Sequence, residues 1–239
     1  MAKSQNDLGR GSVGRLLFNM ALPAIAAQLI NVLYNLVDRM YIGHIEGIGD
    51  LALTGVGVTF PVIMIISAFS MLVGMGGAPR ASMKMGAKDF DGARRILGNC
   101  ACLLVIMSVV ITAVILAFGR DFLLLFGASG NTIGYAMDYL AIYAAGTIFV
   151  QLVLGLNPFI SAQGFAKTSM LTTVIGAVLN IALDPVFIFV FGMGVKGAAL
   201  ATILSQAVSA VWVLKFLTGK RTQLKIRMKY FRLSPSVIL

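Results

Sequence analysis

Six apolar runs divide most of this chain, and they restrict its fold more than any other feature. A helix that crosses a bilayer needs about 20 consecutive apolar residues. The runs cover approximately 16–42, 51–78, 96–118, 132–156, 169–191 and 197–217. Of the 239 residues 59% are hydrophobic and 12% are charged, whereas a soluble domain averages about 45–50% and 25%. The sequence therefore predicts an all-α polytopic membrane protein with six transmembrane helices.

The distribution of Lys and Arg predicts the orientation of these helices. If the amino terminus lies in the cytoplasm, 16 of the 19 basic residues fall on the cytoplasmic side and only Arg39, Arg120 and Lys196 fall outside. Cytoplasmic loops carry an excess of basic residues, so both termini are predicted to be inside. The same bias accounts for the net charge of +10. The sequence contains no basic patch interleaved with aromatic residues, so no nucleic-acid partner is predicted.

The charged segments divide the chain into three parts. Residues 1–15 form a cytoplasmic segment, 16–217 form the six-helix lobe, and 218–239 form a basic cytoplasmic tail. The first apolar run is too long for a signal peptide, so it is expected to be retained. The connector 80–95 mixes both charges, which is compatible with a short helix at the membrane interface or with a solvated loop.

The fifth run contains an amide, a carboxylate and a proline within six residues. Asn180 and Asp184 are spaced i, i+4 and share one helix face, and Pro185 cannot bond the carbonyl of Ile181. A charged side chain near the centre of a spanning helix costs about 2.5–3.5 kcal/mol, so the carboxylate of Asp184 indicates a functional site. Oxygen ligands of this kind suit Na⁺, and a buried carboxylate can also carry a proton. The alternative is that Asn180 and Asp184 only bond a neighbouring helix while Pro185 kinks.

Three further helices place polar residues at a similar depth in the predicted topology. Asp38 follows Leu16 by 22 residues, or ~33 Å along a helix. Thr202 lies in the outer half of the sixth helix, and Asp138 and Tyr139 lie in the outer half of the fourth. A tyrosine at that level is also typical of the aromatic belt at the membrane surface.

Four stretches, in this order, resemble one known family. They are YNLVDRMYIGHI (34–45), GMGGAPRASMKMGAKDFDGARR (74–95), AQGFAKTSM (162–170) and LNIALDPVFIFVFGMGVKGAALATILSQ (179–206). The chain resembles the amino-terminal six-helix lobe of the multidrug and toxic compound extrusion (MATE) family, in its prokaryotic DinF-like branch.

The resemblance implies an antiporter in the cytoplasmic membrane that exports organic cations in exchange for Na⁺ or H⁺ and needs no cofactor. It implies a cation-coupling site, and a possible Na⁺ site, at Asp38, Asn180, Asp184 and Thr202. It implies a substrate cavity near Tyr139, Asn157 and Gln206.

The length departs from that family, whose members have about twelve helices in two lobes. A second lobe, either a missing carboxyl-terminal half or another copy of this chain, is therefore an expected partner. Two alternatives remain open: a flippase for lipid-linked saccharides, and a truncated half-lobe without transport. An enzyme is not expected, because no Ser/His, Cys/His or metal-ligand set is present.

Overall fold

A computed structural model describes residues 12–231 of the chain, excluding the side chains of residues 15, 16 and 228. The described part is helical and contains no strand. Its α-helices are α1 (Val13–Gly43), α2 (Gly49–Gly86), α3 (Phe90–Leu125), α4 (Ile133–Ala145), α5 (Thr147–Ala162), α6 (Ala166–Pro185) and α7 (Val195–Thr218). A π-helical segment, Val186–Val190, continues α6, and a short 3₁₀ turn covers Met228–Tyr230.

Five of these elements are long and apolar enough to cross a bilayer alone, and α4 with α5 supplies the sixth span. The predicted number of spans is therefore confirmed, but the single helix expected over 132–156 is wrong. The pair bends by 59° at Gly146, whose N–H contacts two carbonyls, those of Ile142 and Tyr143. Ile203 of α7 packs directly on the Gly146 backbone, where no side chain would fit. The break thus lies at a close contact with a helix that is distant in the sequence.

The connector expected over 80–95 is also different, because α2 and α3 both extend into it. Only Ala87–Asp89 lie between them, with Lys88 in the left-handed region (φ 62°). Neither a separate interfacial helix nor a long solvated loop is present. The Asp89 carboxylate caps α3 by accepting a hydrogen bond from the N–H of Gly92 at 2.8 Å, and it pairs with Lys84 at 3.1 Å.

This cap predicts a small acid-dependent contribution to stability. The Gly92 N–H and the nearby Lys84 ammonium hold the pKa of Asp89 below its usual value. A carboxyl whose pKa is lower in the folded state stabilises it above about pH 4 and loses this effect as the pH falls through the folded pKa. We expect Asp89→Ala to lower the thermal unfolding temperature at pH 6 and to approach the parent at pH 3. Asp91→Ala is the matched control, and an equal effect of both variants at pH 6 would contradict the capping role.

The core consists of two clusters of buried side chains along the bundle. One lies among α2, α4 and the start of α7, around Tyr139 and Leu140. The other lies among α2, α3, α5 and the end of α7, around Phe159. Helices α2 and α5 approach closely at Gly74. A Cβ on this residue would lie only 2.7 Å from the carbonyl oxygen of Gly155, so the approach depends on the missing side chain. Small residues allow such approach in membrane bundles, where lipid gives no hydrophobic drive for association.

The chain after α7 folds back and is held by one buried amide. The Oε1 atom of Gln163 accepts hydrogen bonds from the Thr222 hydroxyl at 2.7 Å and from the N–H groups of Gln223 and Leu224 at 3.0 Å. Its Nε2 atom donates to the Phe159 carbonyl at 3.0 Å. We call this set of contacts the Gln163 clamp. It fixes segment 219–226 against the turn between α5 and α6.

Removing the clamp should destabilise the protein. Gln163→Leu removes the acceptor of the buried Leu224 N–H and of the partly buried Gln223 N–H, whereas the Thr222 hydroxyl keeps the Leu224 carbonyl at 2.8 Å. A buried donor without an acceptor costs about 1–3 kcal/mol. We expect a clear fall in the unfolding temperature of the purified chain in detergent. Gln223→Ala, which truncates an exposed side chain, should change it little. Identical unfolding of Gln163→Leu and the parent would show that the clamp does not form.

Candidate functional site

The predicted polar pair of α6 is buried against α7. Asn180 and Asp184 are 2% and 0% exposed. The Asn180 amide donates to the Asp184 carboxylate at 3.1 Å and to the Thr202 hydroxyl at 3.4 Å. Small residues at the start of α7 permit this contact, since a Cβ on Gly197 would lie 2.7 Å from the backbone of Phe187. Three of the predicted coupling residues therefore lie together.

The fourth predicted residue, Asp38, reaches the same place from α1. Helix α1 packs chiefly on α6, and most of its surface remains exposed, but Asp38 is only 7% exposed. Its carboxyl group lies next to the Asp184 carboxyl group. The adjacent Arg39 is exposed and lies over the ring of Phe60, 5.3 Å from its centroid. Two acidic groups on different helices thus face each other inside the bundle.

Three oxygen atoms of this cluster have no hydrogen-bond partner in the described part of the chain. They are Oδ1 of Asp38, Oδ1 of Asn180 and Oδ2 of Asp184. Buried polar atoms normally have a partner, and two adjacent buried carboxylates repel each other unless a cation lies between them. The donor set is all oxygen, which suits a hard cation such as Na⁺. A proton shared by the carboxyl groups would satisfy the same charge requirement.

Two tyrosines complete the surroundings of the cluster. The Tyr139 side chain from α4 lies close to the Thr202 hydroxyl, so this predicted cavity residue lies beside the predicted coupling residues. Its ring stacks on Tyr143 at 6.1 Å. Tyr34 was not predicted, although it precedes Asp38 by four residues and therefore lies on the same face of α1. The Tyr34 side chain is close enough to Asp38 and Asp184 to interact electrostatically with both carboxyl groups.

The two other predicted cavity residues lie in different settings. Asn157 donates to the Ser169 carbonyl at 3.2 Å and accepts from the Thr172 hydroxyl at 3.1 Å, so it bridges α5 and α6. Gln206 lies one turn after Thr202 on α7, and its buried Oε1 has no partner among the described residues. Gln206 therefore lies on the same face of α7 as Thr202, one turn from the cluster. Asn157 belongs to a separate contact between helices.

An open cavity of about 710 Å³ lies at the end of the bundle where α1 meets α2. Its lining includes His44, Glu46 and Asp138, and it reaches Ile188, one turn beyond Asp184. Asp138 forms an ion pair with Lys196 at 3.4 Å, and both side chains are about half exposed. The cavity therefore brings solvent close to the cluster from this end. His44 is exposed, as expected for a loop residue.

The sequence profile of the MatE family matches residues 23–186, which run from within α1 to the end of α6. The chain belongs to the MatE family. Members of this family are transporters, so the prediction that the chain is not an enzyme is confirmed. The described helices identify this MatE chain as a multi-pass membrane protein.

Curated relatives of this MatE chain include multidrug exporters of staphylococci. It is 28% identical over 219 residues to the multidrug export protein MepA of Staphylococcus haemolyticus, covering 92% of this chain and 48% of that protein. It is 26% identical to MepA of Staphylococcus aureus with the same coverage. The chain thus spans about half the length of the curated relatives that it matches.

Solved structures show the same fold. A MATE crystal structure in complex with MaD3S is 31% identical with a TM-score of 0.87, covering 96% of this chain and 51% of that one. A transporter of the MOP superfamily from Pyrococcus furiosus, for which a binding pocket of reverse polarity suggests a different function, is 30% identical with a TM-score of 0.87. The match covers 96% of this chain and 50% of the transporter chain.

Proposed function

We propose that this chain is the amino-terminal lobe of a cation-coupled antiporter that exports organic cations and other toxic compounds by alternating access. The proposal rests mainly on the facing carboxyl groups of Asp38 and Asp184, together with their unpartnered buried oxygens. An ionisable pair at membrane depth is typical of a pathway for ions or protons. Its relatives include multidrug exporters.

The proposed coupling ion is Na⁺ or H⁺, held by Asp38, Asn180, Asp184 and Thr202. The ion neutralises the two carboxyl groups, so α1 can pack against α6 and α7 without charge repulsion. Without the ion, repulsion favours an arrangement in which α1 lies farther from α6. Because a ligand shifts an equilibrium only through its different affinities for the two states, ion binding drives export if the drug binds better to the ion-free state.

The proposed orientation places both termini in the cytoplasm and the 710 Å³ cavity on the outer side of the cell membrane. In this orientation the cavity gives the coupling ion its entry towards Asp184. The proposed partner is a second lobe, supplied by a missing carboxyl-terminal half or by another copy of this chain. Segment 1–15 and tail 218–239 then lie on the cytoplasmic side of the 16–217 lobe, although residues 1–11 and 232–239 fall outside the described structure.

The proposed substrate cavity lies beside the coupling site, near Tyr139 and Gln206, and the third predicted residue, Asn157, lies apart from them where α5 contacts α6. Tyr139 offers an aromatic face for a cation, and Gln206 offers an unpartnered carbonyl oxygen. A saccharide-lipid flippase would need basic side chains in its cavity to hold phosphate. No Lys or Arg is among the buried side chains of the described residues, which favours export of organic cations.

The test is efflux of a fluorescent cationic dye from cells that express this chain. One set of cells expresses the chain alone, and another also expresses the carboxyl-terminal lobe of a staphylococcal MepA. We expect efflux that depends on an imposed Na⁺ or H⁺ gradient in the second set, and in the first set only if two copies of the chain assemble. Absence of efflux from both sets, with the chain present in the membrane, would refute the proposal.

A further inference from the structure

A second cavity, unrelated to the coupling site, lies where α7 ends. It has a volume of about 350 Å³ and is lined by Trp212, Lys215, Phe216, Gly219, Lys220 and Arg221. We call it the α7-end pocket. Three of its lining residues, Trp212, Lys215 and Phe216, follow the spacing i, i+3, i+4 on α7, so they lie on one face of the helix. The other three come from the segment that follows α7.

The lining of this pocket combines an apolar floor with a basic rim. Trp212 and Phe216 are partly buried, and Phe216 packs edge-on against Phe165 with ring centroids 5.2 Å apart. The three basic side chains are exposed and form no ion pair within the described residues. No carboxylate lines the cavity. This combination is complementary to a molecule that carries an anionic group next to an apolar part.

The segment that carries Lys220 and Arg221 is held in place by buried contacts. The Gln163 clamp fixes the next three residues, 222–224, and the N–H of Ile226 donates to the Leu217 carbonyl at 3.0 Å. The rim is therefore preorganised, and binding an anion there loses less conformational entropy than binding to a free tail. A bias of basic residues towards the cytoplasm explains their number, but not their arrangement around a concave site with an aromatic floor.

The floor also contains an unused hydrogen-bond donor. The indole Nε1 of Trp212 is buried and has no partner among the described residues, although buried tryptophan N–H groups usually have one. Aromatic residues of this type are enriched at the level of lipid headgroups. The end of a spanning helix is where a headgroup and the first part of its acyl chains meet.

We propose that the α7-end pocket binds an anionic phospholipid, with its phosphate at Lys215, Lys220 and Arg221 and its acyl chains against Trp212 and Phe216. The leaflet is the one in which α7 ends, which is the cytoplasmic leaflet in the proposed orientation. Basic pockets between helices on that side are suited to anionic headgroups. The proposal does not depend on cation coupling or on drug export.

Trp212 is the only tryptophan of the chain, so its fluorescence reports directly on this pocket. The purified 239-residue chain is placed in nanodiscs of equal parts phosphatidylglycerol and phosphatidylcholine, with brominated acyl chains on only one of the two lipids. Bromine quenches tryptophan at short range. We expect stronger quenching when phosphatidylglycerol carries the bromine. Since each cation is worth about fivefold in affinity for an anionic lipid, the triple variant K215Q/K220Q/R221Q should remove this preference.

The matched control is K225Q/R227Q/K229Q, which removes the same charge from residues outside the pocket and should retain the preference. Equal quenching by both brominated lipids in the parent, or equal loss in both triple variants, would overturn the proposal. Titration of inorganic phosphate in detergent separates a soluble anion from a lipid. A fluorescence response to phosphate at micromolar concentration, without lipid preference, would assign the pocket to a soluble anion instead. If the pocket triple variant misfolds by circular dichroism, single variants K220Q and R221Q must each reduce the preference about fivefold.

Discussion

Replacing Asp184 with asparagine is expected to abolish cation-driven export while leaving the chain inserted in the membrane. The substitution keeps the size of the side chain and its capacity to bond Asn180, but it removes one of the two facing negative charges. Allosteric coupling between two ligands is typically worth 1–3 kcal/mol. We therefore expect the stimulation of dye efflux by an ion gradient to fall by about 5–150-fold. Initial efflux rates, normalised to the amount of chain in the membrane, measure this effect.

Asp121→Asn is the matched control because it makes the same chemical change on an exposed carboxylate near the end of α3, outside the lining of the 710 Å³ cavity. Substitutions at exposed positions usually change stability by no more than about 0.5 kcal/mol, so its effect on export should be small. Normal gradient-driven export by Asp184→Asn would show that the coupling site lies elsewhere.

Asp38→Asn tests whether the two carboxyl groups act as one site. Residues that share a ligand show non-additive effects. If Asp38 and Asp184 hold one ion between them, each single variant should lose most of the coupling. The double variant should then be little worse than either one. Additive losses would indicate two independent sites, each with its own ion.

The sequence was sufficient to predict the spans and most of the cluster, because both depend on local patterns. Apolar runs of the required length predict spanning helices, and the i, i+4 spacing of Asn180 and Asp184 places them on one face. The approach of Asp38 also has a sequence signal, since an acidic residue inside an apolar helix needs a polar neighbour. Tyr34 had a weaker signal, its spacing of four residues from Asp38.

Features that depend on contacts between distant segments could not be predicted. Gly146, at the bend, packs against Ile203 of α7, and a lone glycine does not by itself predict a break in a membrane helix. The Gln163 clamp joins residues about 60 positions apart. The resemblance to the MATE family places Asn157 near the substrate, whereas its side chain bonds Ser169 and Thr172 of α6 in the structure. A polar residue in a span therefore indicates a contact, and only the structure shows with which group.

Gly197→Ala is expected to disrupt the site without touching any of its polar groups. A methyl group at this position would lie 2.7 Å from the carbonyl carbon of Phe187 and 3.0 Å from the nitrogen of Ile188. Both are backbone atoms of the π-helical segment, so they cannot move as a flexible side chain can. Overpacking of this kind typically costs 1–3 kcal/mol. We expect a lower unfolding temperature in detergent and weaker gradient-driven export.

Gly76→Ala separates this steric effect from the change in helix propensity. A Cβ at Gly76 meets nothing within 4 Å, so alanine there should be neutral or stabilising by up to about 1 kcal/mol. Gly197 differs because its lack of a side chain lets α7 lie directly on the segment that follows Asp184. Moving α7 outward carries Thr202 away from Asn180, whose contact is already long at 3.4 Å. The proposed coupling site thus depends on the distance between two backbones, and a single methyl group at Gly197 should impair it. Export by Gly197→Ala equal to that of Gly76→Ala would show that the site tolerates a wider spacing.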